Sequence, residues 1–255
     1  MIAQLFPESV FTVSATGDAE VPPLFPEEEL CIRRAVEKRR REFAAGRACA
    51  RQALEYFGIH QYRLLVGPSR APVWPQAIVG SITHCEGFVG VAVARQGCIR
   101  GLGVDAERAR PLPPSVVDMI CLPREREWIR VAAPPSYTTW PNVLFSAKEA
   151  VYKSLTRYCE RPLGFHDVEI TLQPGESRFA VRFTGKAPFP PADAMQLEGR
   201  FATSQTHVFT GVVLTMSPVT ERVGQPRAGT GQSSHFGNGT LHGATATVPP
   251  ALTSS

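Results

Sequence analysis

Leu144-Phe-Ser-Ala-Lys-Glu-Ala-Val-Tyr-Lys-Ser-Leu155 decides the fold of the later part of this chain, because its apolar spacing predicts a strong helix near residues 142–157. At about 100° per residue, one face of that helix collects Leu144, Val151 and Leu155. Lys148 falls on the same face, where its charge must either reach the surface or meet a buried anion. The helix also carries Glu149 and Lys153, an i, i+4 pair in the favourable order, for which an exposed salt bridge is the alternative interpretation.

The stretch Gly101-Leu-Gly-Val-Asp-Ala-Glu107 lies upstream of that helix and is typical of a strand. Strand alternation places Asp105 and Glu107 on one face, roughly 6–7 Å apart along the chain. Two hard oxygen ligands beside a basic helix suit Mg²⁺ bound to phosphates, and two solvated acids are the alternative. The glycines also match a dinucleotide-binding fingerprint, which we exclude because the prolines of Arg110–Pro114 prevent the helix that it requires.

The remaining elements predict an α+β fold with antiparallel sheets rather than a doubly wound fold. Helices come first, then strands, then helices and strands again. The pattern predicts one or two helices in 27–57, strands at 62–66 and 78–83, a hairpin of 88–94 with 98–107, helices near 115–121 and 124–132, and strands near 166–172, 177–184, 195–203 and 207–215. Residues 1–26 show no clear element.

Three regions follow from these elements and from the break at residues 110–114. We predict an N-terminal half at 1–110, a C-terminal half at 111–218 and a disordered tail at 219–255. The tail has 19 Gly, Pro, Ser or Thr among 37 residues and only three charges, a composition that cannot form a packed core.

Charge and composition narrow the function classes. The chain has 255 residues, 43% of them hydrophobic, and contains no apolar run long enough to span a membrane. Its net charge is only +4, but Arg33–Arg51 holds eight Lys or Arg against two Glu, which indicates a polyanionic ligand. Within it, Arg47 and Arg51 are spaced i, i+4 and can hold a phosphate, whereas Lys38–Arg41 has the pattern of a solvated basic face.

The cysteines and histidines give weaker signals. The six cysteines form no C-x-x-C pair and no zinc spacing. Since the N-terminus has no signal-peptide pattern, scattered thiols indicate a reducing compartment, and we expect a cytoplasmic protein. His84 ends a predicted strand, where it is either structural or a phosphate contact.

Together these segments resemble the 4′-phosphopantetheinyl transferases of the Sfp/EntD-like type. The family pattern is G-(I/V)-D-x-E followed by (W/F)-S-x-K-E-(A/S)-x-x-K, and Asp105 and Glu149 are separated by the spacing typical of the family. Further segments that carry the resemblance are Glu42–Arg51, Arg70–Pro75 and Gly80–His84. The resemblance covers about residues 27–215.

The resemblance implies an enzyme of the holo-[acyl-carrier-protein] synthase type. Such an enzyme moves 4′-phosphopantetheine from coenzyme A to a serine of an apo carrier protein, with Mg²⁺, and releases adenosine 3′,5′-bisphosphate. The implied fold is two similar α+β halves related by a pseudo-twofold axis, with the active site in the cleft between them. The implied partners are acyl, peptidyl or aryl carrier proteins of fatty-acid, polyketide or non-ribosomal peptide synthases, including those of secondary metabolite biosynthesis. We expect a monomer that binds neither nucleic acid nor membrane.

The resemblance also assigns roles to individual residues. It implies that Mg²⁺ is held by Asp105, Glu107 and Glu149. It implies catalytic roles for Glu149, Lys148 and Lys153. It implies that coenzyme A is bound by Lys38, Arg47, Arg51, Arg70, Thr83, His84, Lys148 and Lys153. Glu125 matches a further glutamate of the family.

Two other function classes fit parts of the pattern. A Mg²⁺-dependent nuclease would use paired acids and lysines, but the D…E-x-K type places its Glu and Lys on a strand, whereas here they lie on a predicted helix. A non-catalytic module that recognises carrier proteins would need no metal site, so the three carboxylates argue against it.

Overall fold

Two antiparallel β-sheets, each packed against one long helix, organise the chain in this computed structural model, which describes residues 1–16, 22–132, 140–159, 161–185 and 195–216. The helices are α1 (Pro26–Ile32), α2 (Glu37–Tyr56), α3 (Pro114–Ile120), α4 (Pro123–Ala132) and α5 (Trp140–Leu155). The strands are β1 (Phe11–Thr16), β2 (Ile78–Cys85), β3 (Phe88–Arg95), β4 (Ile99–Arg108), β5 (Val168–Gln173), β6 (Arg178–Phe183), β7 (Met195–Thr203) and β8 (His207–Met216).

The sheet order confirms the α+β class. The first sheet has the order β1-β3-β2 and the second has the order β4-β8-β7-β6-β5, with antiparallel pairs throughout. Helix α2 packs against the first sheet, and α5 packs against β4 and β8 of the second. All described residues belong to one unit, Met1–Val219, so the boundary near residue 110 and the pseudo-twofold relation stay predictions.

Burial explains why the central elements form where they do. Strand β3 is buried along nearly its whole length because it lies between β1 and β2 and beneath α2. Helix α5 buries most of its residues, including the predicted apolar face of Leu144, Val151 and Leu155. Strand β3 therefore has a near-continuous apolar sequence, whereas α5 also buries polar side chains such as Asn142, Ser146 and Lys148.

Three local predictions differ from the structure. The predicted hairpin of 88–94 with 98–107 is wrong, because β3 pairs with β1 and β2 whereas β4 pairs with β8. Residues 62–66 form no strand, and only Val66 makes an isolated bridge, to Pro72. Strand β1 was missed within residues 1–26. The predicted disordered tail lies outside the described residues.

Two glycines allow α5 to lie directly on β4. A Cβ atom built on Gly103 would overlap the carbonyl oxygen of Ala150, and one built on Gly101 would overlap that of Ser154. The Gly-x-Gly pattern therefore serves a close strand–helix contact, which agrees with the exclusion of a dinucleotide fingerprint. In the part of the chain that the structure describes, no helix combines the length and apolarity needed to cross a bilayer.

Candidate active site

A cleft of about 810 Å³ lies between α2, the loop at residues 66–74, strand β2 and the C-terminal end of α5. The predicted site residues that line it are Arg47, Arg70, Thr83, His84 and Lys153. The structure thus brings together side chains that are more than 100 positions apart in sequence. Their positive charge makes the cleft suitable for a phosphorylated ligand.

Side chains of β2, and not backbone pairing between the two strands, form the hydrogen bonds to the edge of β4 that faces β2. Ser81 Oγ accepts a hydrogen bond from the Val104 amide (3.0 Å), and Thr83 Oγ1 accepts one from the Ala106 amide (3.0 Å). Lys153 Nζ donates to the Val104 carbonyl (3.1 Å). These contacts fix the strand that carries the predicted metal ligands against the cleft wall.

Asp105 is buried, with 4% of its surface exposed, and its two carboxylate oxygens have different surroundings. Oδ1 accepts hydrogen bonds from Lys153 Nζ (2.6 Å) and from Thr83 Oγ1 (3.3 Å). Oδ2 is buried and has no partner among the described residues. An unsatisfied buried carboxylate oxygen is costly, so Oδ2 is a vacant acceptor for a cation or a donor group.

Three carboxylates are electrostatically coupled at this point. Burial, and secondarily the charge of Asp105, raises the pKa of Glu107 to about 7. The same two causes, in the same order, raise the pKa of Glu149. Lys153 opposes both shifts. The charge of Asp105 contributes to both shifts, so Glu107 of β4 and Glu149 of α5 both lie within electrostatic range of Asp105.

These carboxylates fit Mg²⁺ in their donor chemistry. Hard carboxylate oxygens are the ligands that this ion prefers, and the vacant Asp105 Oδ2 and the excess negative charge both favour a cation. Among the described residues, however, no three His, Cys, Asp or Glu side chains already converge closely enough to hold a metal ion. A bound ion would therefore require these carboxylates to come closer together than they lie in this structure.

Arg47 and His84 line the cleft with different electrostatic character. Arg47 has only 4% of its surface exposed, and this burial lowers its pKa to about 10, which still leaves it charged at neutral pH. His84 lies between Arg39 and Glu42 and hydrogen-bonds Arg39. Burial first, and the charge of Arg39 second, lowers the pKa of His84. His84 is therefore a neutral partner for a ligand rather than a cationic one.

Lys148 does not lie in the cleft, and the structure corrects the prediction that it meets a ligand phosphate. Its ammonium group is fully buried and donates to Glu125 Oε2 (2.8 Å) and to the carbonyls of Ile120 and Phe165 (2.9 Å each). An ammonium has three hydrogens, and all three are directed at protein acceptors. Glu125, which matches a further glutamate of the family, is the anion that the position of Lys148 required.

Two further predicted ligand contacts also lie away from the cleft. Arg51 forms a salt bridge with the buried Glu28 (2.9 Å) and donates to the carbonyl of Pro23, so its guanidinium serves the fold. Lys38 is exposed and does not line the cleft. Although Arg47 and Arg51 are spaced i, i+4, Arg47 lines the cleft and Arg51 has a structural role.

Three arginines that the sequence analysis did not select line the cleft. Arg34 and Arg39 belong to the basic segment, part of which we interpreted as a solvated face. Arg157 follows Lys153 by four residues and lies just beyond the end of α5. That i, i+4 relation to a selected lysine was the available signal for Arg157.

Comparison with known proteins gives a consistent result over most of the chain. Residues 27–94 match the 4′-phosphopantetheinyl transferase N-terminal domain, and residues 101–206 match the 4′-phosphopantetheinyl transferase superfamily. The chain is 42% identical over 221 residues to 4′-phosphopantetheinyl transferase Svp of Streptomyces mobaraensis, covering 84% of this chain and 89% of that protein. It is 36% identical to PptT of Mycobacterium tuberculosis, covering 84% and 98%, and 39% identical to Npt of Nocardia iowensis, covering 68% and 77%.

Proposed function

Because this chain belongs to the 4′-phosphopantetheinyl transferase family, whose members are enzymes that move phosphopantetheine from coenzyme A to carrier proteins, we propose that it modifies a serine of an apo acyl, peptidyl or aryl carrier protein. We further propose that the reaction depends on Mg²⁺ and releases adenosine 3′,5′-bisphosphate. The observation that carries this proposal is the ion pair of Lys153 with the buried Asp105 at the wall of a basic cleft.

The cleft supports binding of coenzyme A through charge. The described residues that line it include Arg34, Arg39, Arg47, Arg70, Arg157 and Lys153, and Glu42 is the one acid among them. Several positive groups in one concave surface raise the local concentration of a ligand that carries several phosphate charges. This supports an anchoring role for the arginines toward the nucleotide end and leaves Lys153 near the carboxylates.

The reaction requires a proton acceptor and a stabilised leaving group. The serine hydroxyl oxygen attacks the phosphorus that bears the pantetheine arm, and the bond from this phosphorus to the bridging oxygen breaks. We propose that one carboxylate oxygen of Glu149 takes the serine proton, while the other would contact the cation. Lys153, held between Asp105 and the Val104 carbonyl, stabilises charge on the bridging oxygen as the bisphosphate leaves.

Asp105, Glu107 and Glu149 would hold Mg²⁺ in this proposal. When bound, the ion would neutralise pyrophosphate charge and orient the phosphates. The vacant Oδ2 of Asp105 supports this assignment, because Lys153 and Thr83 already occupy Oδ1. Asp105 thus offers one oxygen to the protein and one to a cation.

The test is incubation with coenzyme A, Mg²⁺ and a panel of apo carrier proteins, followed by intact-mass measurement. We expect one carrier or more to gain the mass of a single phosphopantetheine group. Asp105→Asn should abolish this gain, whereas Asp118→Asn, which alters an exposed carboxylate paired with Arg126, should not. No mass gain with any carrier would refute the proposal, and a normal rate for Asp105→Asn would refute the role of Asp105.

We also propose that the enzyme acts as a cytoplasmic monomer on carrier proteins of fatty-acid, polyketide or non-ribosomal peptide synthases. The free state of the cysteines among the described residues supports a reducing compartment. Cell fractionation and size-exclusion chromatography test these two points.

A further inference from the structure

A fully buried carboxylate, Glu28 of α1, lies outside the chemistry described above. Oε1 accepts a hydrogen bond from the Leu64 amide (3.0 Å). Oε2 accepts hydrogen bonds from Arg51 Nη1 (2.9 Å) and from the Phe25 amide (3.1 Å). The bond to Phe25 caps the start of α1, whereas Arg51 and Leu64 lie 23 and 36 residues away, so Glu28 ties α1, α2 and the segment before β2 to one another.

The other side of Leu64 holds the cleft residue Arg47. Arg47 Nε donates to the Leu64 carbonyl (2.7 Å), and the guanidinium carbon lies 3.9 Å from the centre of the Phe43 ring. These two contacts fix both the direction and the plane of the guanidinium group. Its Nη atoms have no acceptor among the described residues, and Arg47 lines the cleft.

Charge within this buried group is unbalanced. It contains the cations of Arg47 and Arg51 and the single anion of Glu28, and Glu28 is in direct contact with Arg51. Arg47 therefore has a buried charge with no carboxylate of its own among the described residues. A phosphate in the cleft would supply the missing anion, and the planar guanidinium would bind it through two parallel hydrogen bonds if it is correctly oriented.

We propose that Glu28 is a positioning residue that acts through the Leu64 backbone to orient Arg47 for the 3′-phosphate of coenzyme A. The proposal rests on the proposed function, because it takes Arg47 to contact the 3′-phosphoadenosine end of that substrate. Glu28 touches no ligand. It holds the Leu64 amide, the Leu64 carbonyl holds Arg47, and Arg47 selects nucleotides that carry the 3′-phosphate.

The test compares two ligands that differ by one phosphate group, by calorimetry and without turnover. Glu28→Asp keeps the charge but shortens the side chain, so the carboxylate no longer reaches the Leu64 amide. We expect Glu28→Asp to weaken binding of adenosine 3′,5′-bisphosphate about tenfold and binding of adenosine 5′-phosphate less than twofold. Glu29→Asp, which alters the exposed neighbouring acid, should change neither affinity.

A double-variant cycle separates positioning from a general loss of structure. Arg47→Lys keeps the charge but loses the planar guanidinium group, so this substitution alone should weaken binding of adenosine 3′,5′-bisphosphate. If Glu28 acts through Arg47, adding Glu28→Asp to Arg47→Lys should produce no further loss. Additive losses would overturn the proposal, as would equal weakening of both ligands by Glu28→Asp.

A second substitution covers the case in which Glu28→Asp does not fold. Glu28→Gln keeps the length and an oxygen for the Leu64 amide but places an NH2 group where Arg51 and Phe25 donate, so we expect a lower thermal midpoint while the affinity for adenosine 3′,5′-bisphosphate, relative to that for adenosine 5′-phosphate, stays within twofold of wild type. A selective loss of bisphosphate affinity beyond twofold would show that Glu28 acts by charge and would overturn the proposal. A wild-type protein that binds the bisphosphate but transfers nothing would refute the proposed function while leaving the Glu28 result intact.

Discussion

Replacing Lys148 by Met should strongly destabilise this protein. The substitution keeps the apolar stem and removes the ammonium group, which forms an ion pair with Glu125. Both side chains are essentially inaccessible, at 0% and 1% exposure, so no water can replace the lost partner. Removing one member of a buried ion pair typically costs about 3–5 kcal/mol, because the other charge stays buried.

The surroundings of Glu125 favour the lower end of that range. Its carboxylate still accepts hydrogen bonds from the amides of Leu122 (2.7 Å) and Ile170 (2.8 Å), which partly compensate the charge. For a folded unit of this size, about 3 kcal/mol corresponds to a fall of about 6–12 °C in thermal midpoint. Urea denaturation and a thermal scan measure both quantities directly.

Two companion variants make the result specific. Lys153→Met removes a partly exposed lysine and leaves Oδ1 of the buried Asp105 with the Thr83 hydroxyl as its remaining donor among the described residues, so we expect a smaller stability loss of about 1–3 kcal/mol but a large loss of transfer. The double change Lys148→Met with Glu125→Gln removes both charges but keeps an acceptor oxygen for the Ile170 or Leu122 amide, and it should recover part of the lost stability. A Lys148→Met variant that is as stable as wild type, yet binds coenzyme A poorly, would show that Lys148 faces the ligand and would refute this reasoning.

Two further predictions concern β4. Gly103→Ala should cost at least about 2–3 kcal/mol of unfolding free energy, because its Cβ would overlap the Ala150 carbonyl, whereas Gly97→Ala, in open space, should change it by less than about 0.5 kcal/mol; equal effects in urea titration would contradict the contact. Because the pKa of Glu107 is raised, this carboxylate binds a proton more tightly in the folded protein than in the unfolded chain. The free energy of unfolding that this proton contributes is fully present below pH 4.5 and is lost as pH rises through about 7. Thermal scans in EDTA should show that the thermal midpoint of the wild type falls over this pH range and that the fall is smaller in Glu107→Gln. Parallel plots of midpoint against pH for the two proteins would argue against a raised pKa of Glu107.

Local patterns predicted the elements of the site but not all of their partners. The helical period correctly placed Lys148 on the buried face of α5, yet its anion, Glu125, lies on a different helix. Periodicity fixes the direction of a side chain within one element and contains no information about what another element brings to it. The family resemblance implied the catalytic role of Lys148, and the helical period by itself required only that its ammonium meet an anion or reach the surface.

Strand pairing shows the same limit. Residues 88–94 and 98–107 were correctly predicted as strands, but neighbouring strands in sequence were assumed to pair. The partner of β4 is β8, about 100 residues later, and the missing neighbour of β3 is the unpredicted β1. Burial and alternation are properties of a strand, whereas pairing is a property of the whole sheet.

The side-chain hydrogen bonds along the outer edge of β4 also protect the protein against self-association. A strand edge with free amides and carbonyls is a template on which a second chain can add, and aggregation commonly begins there. Ser81 and Thr83 occupy the amides of Val104 and Ala106, so this edge offers no such template. Ser81 and Thr83 thus have two effects, because they hold the strand that carries Asp105 at the cleft wall and at the same time shield its edge from intermolecular pairing.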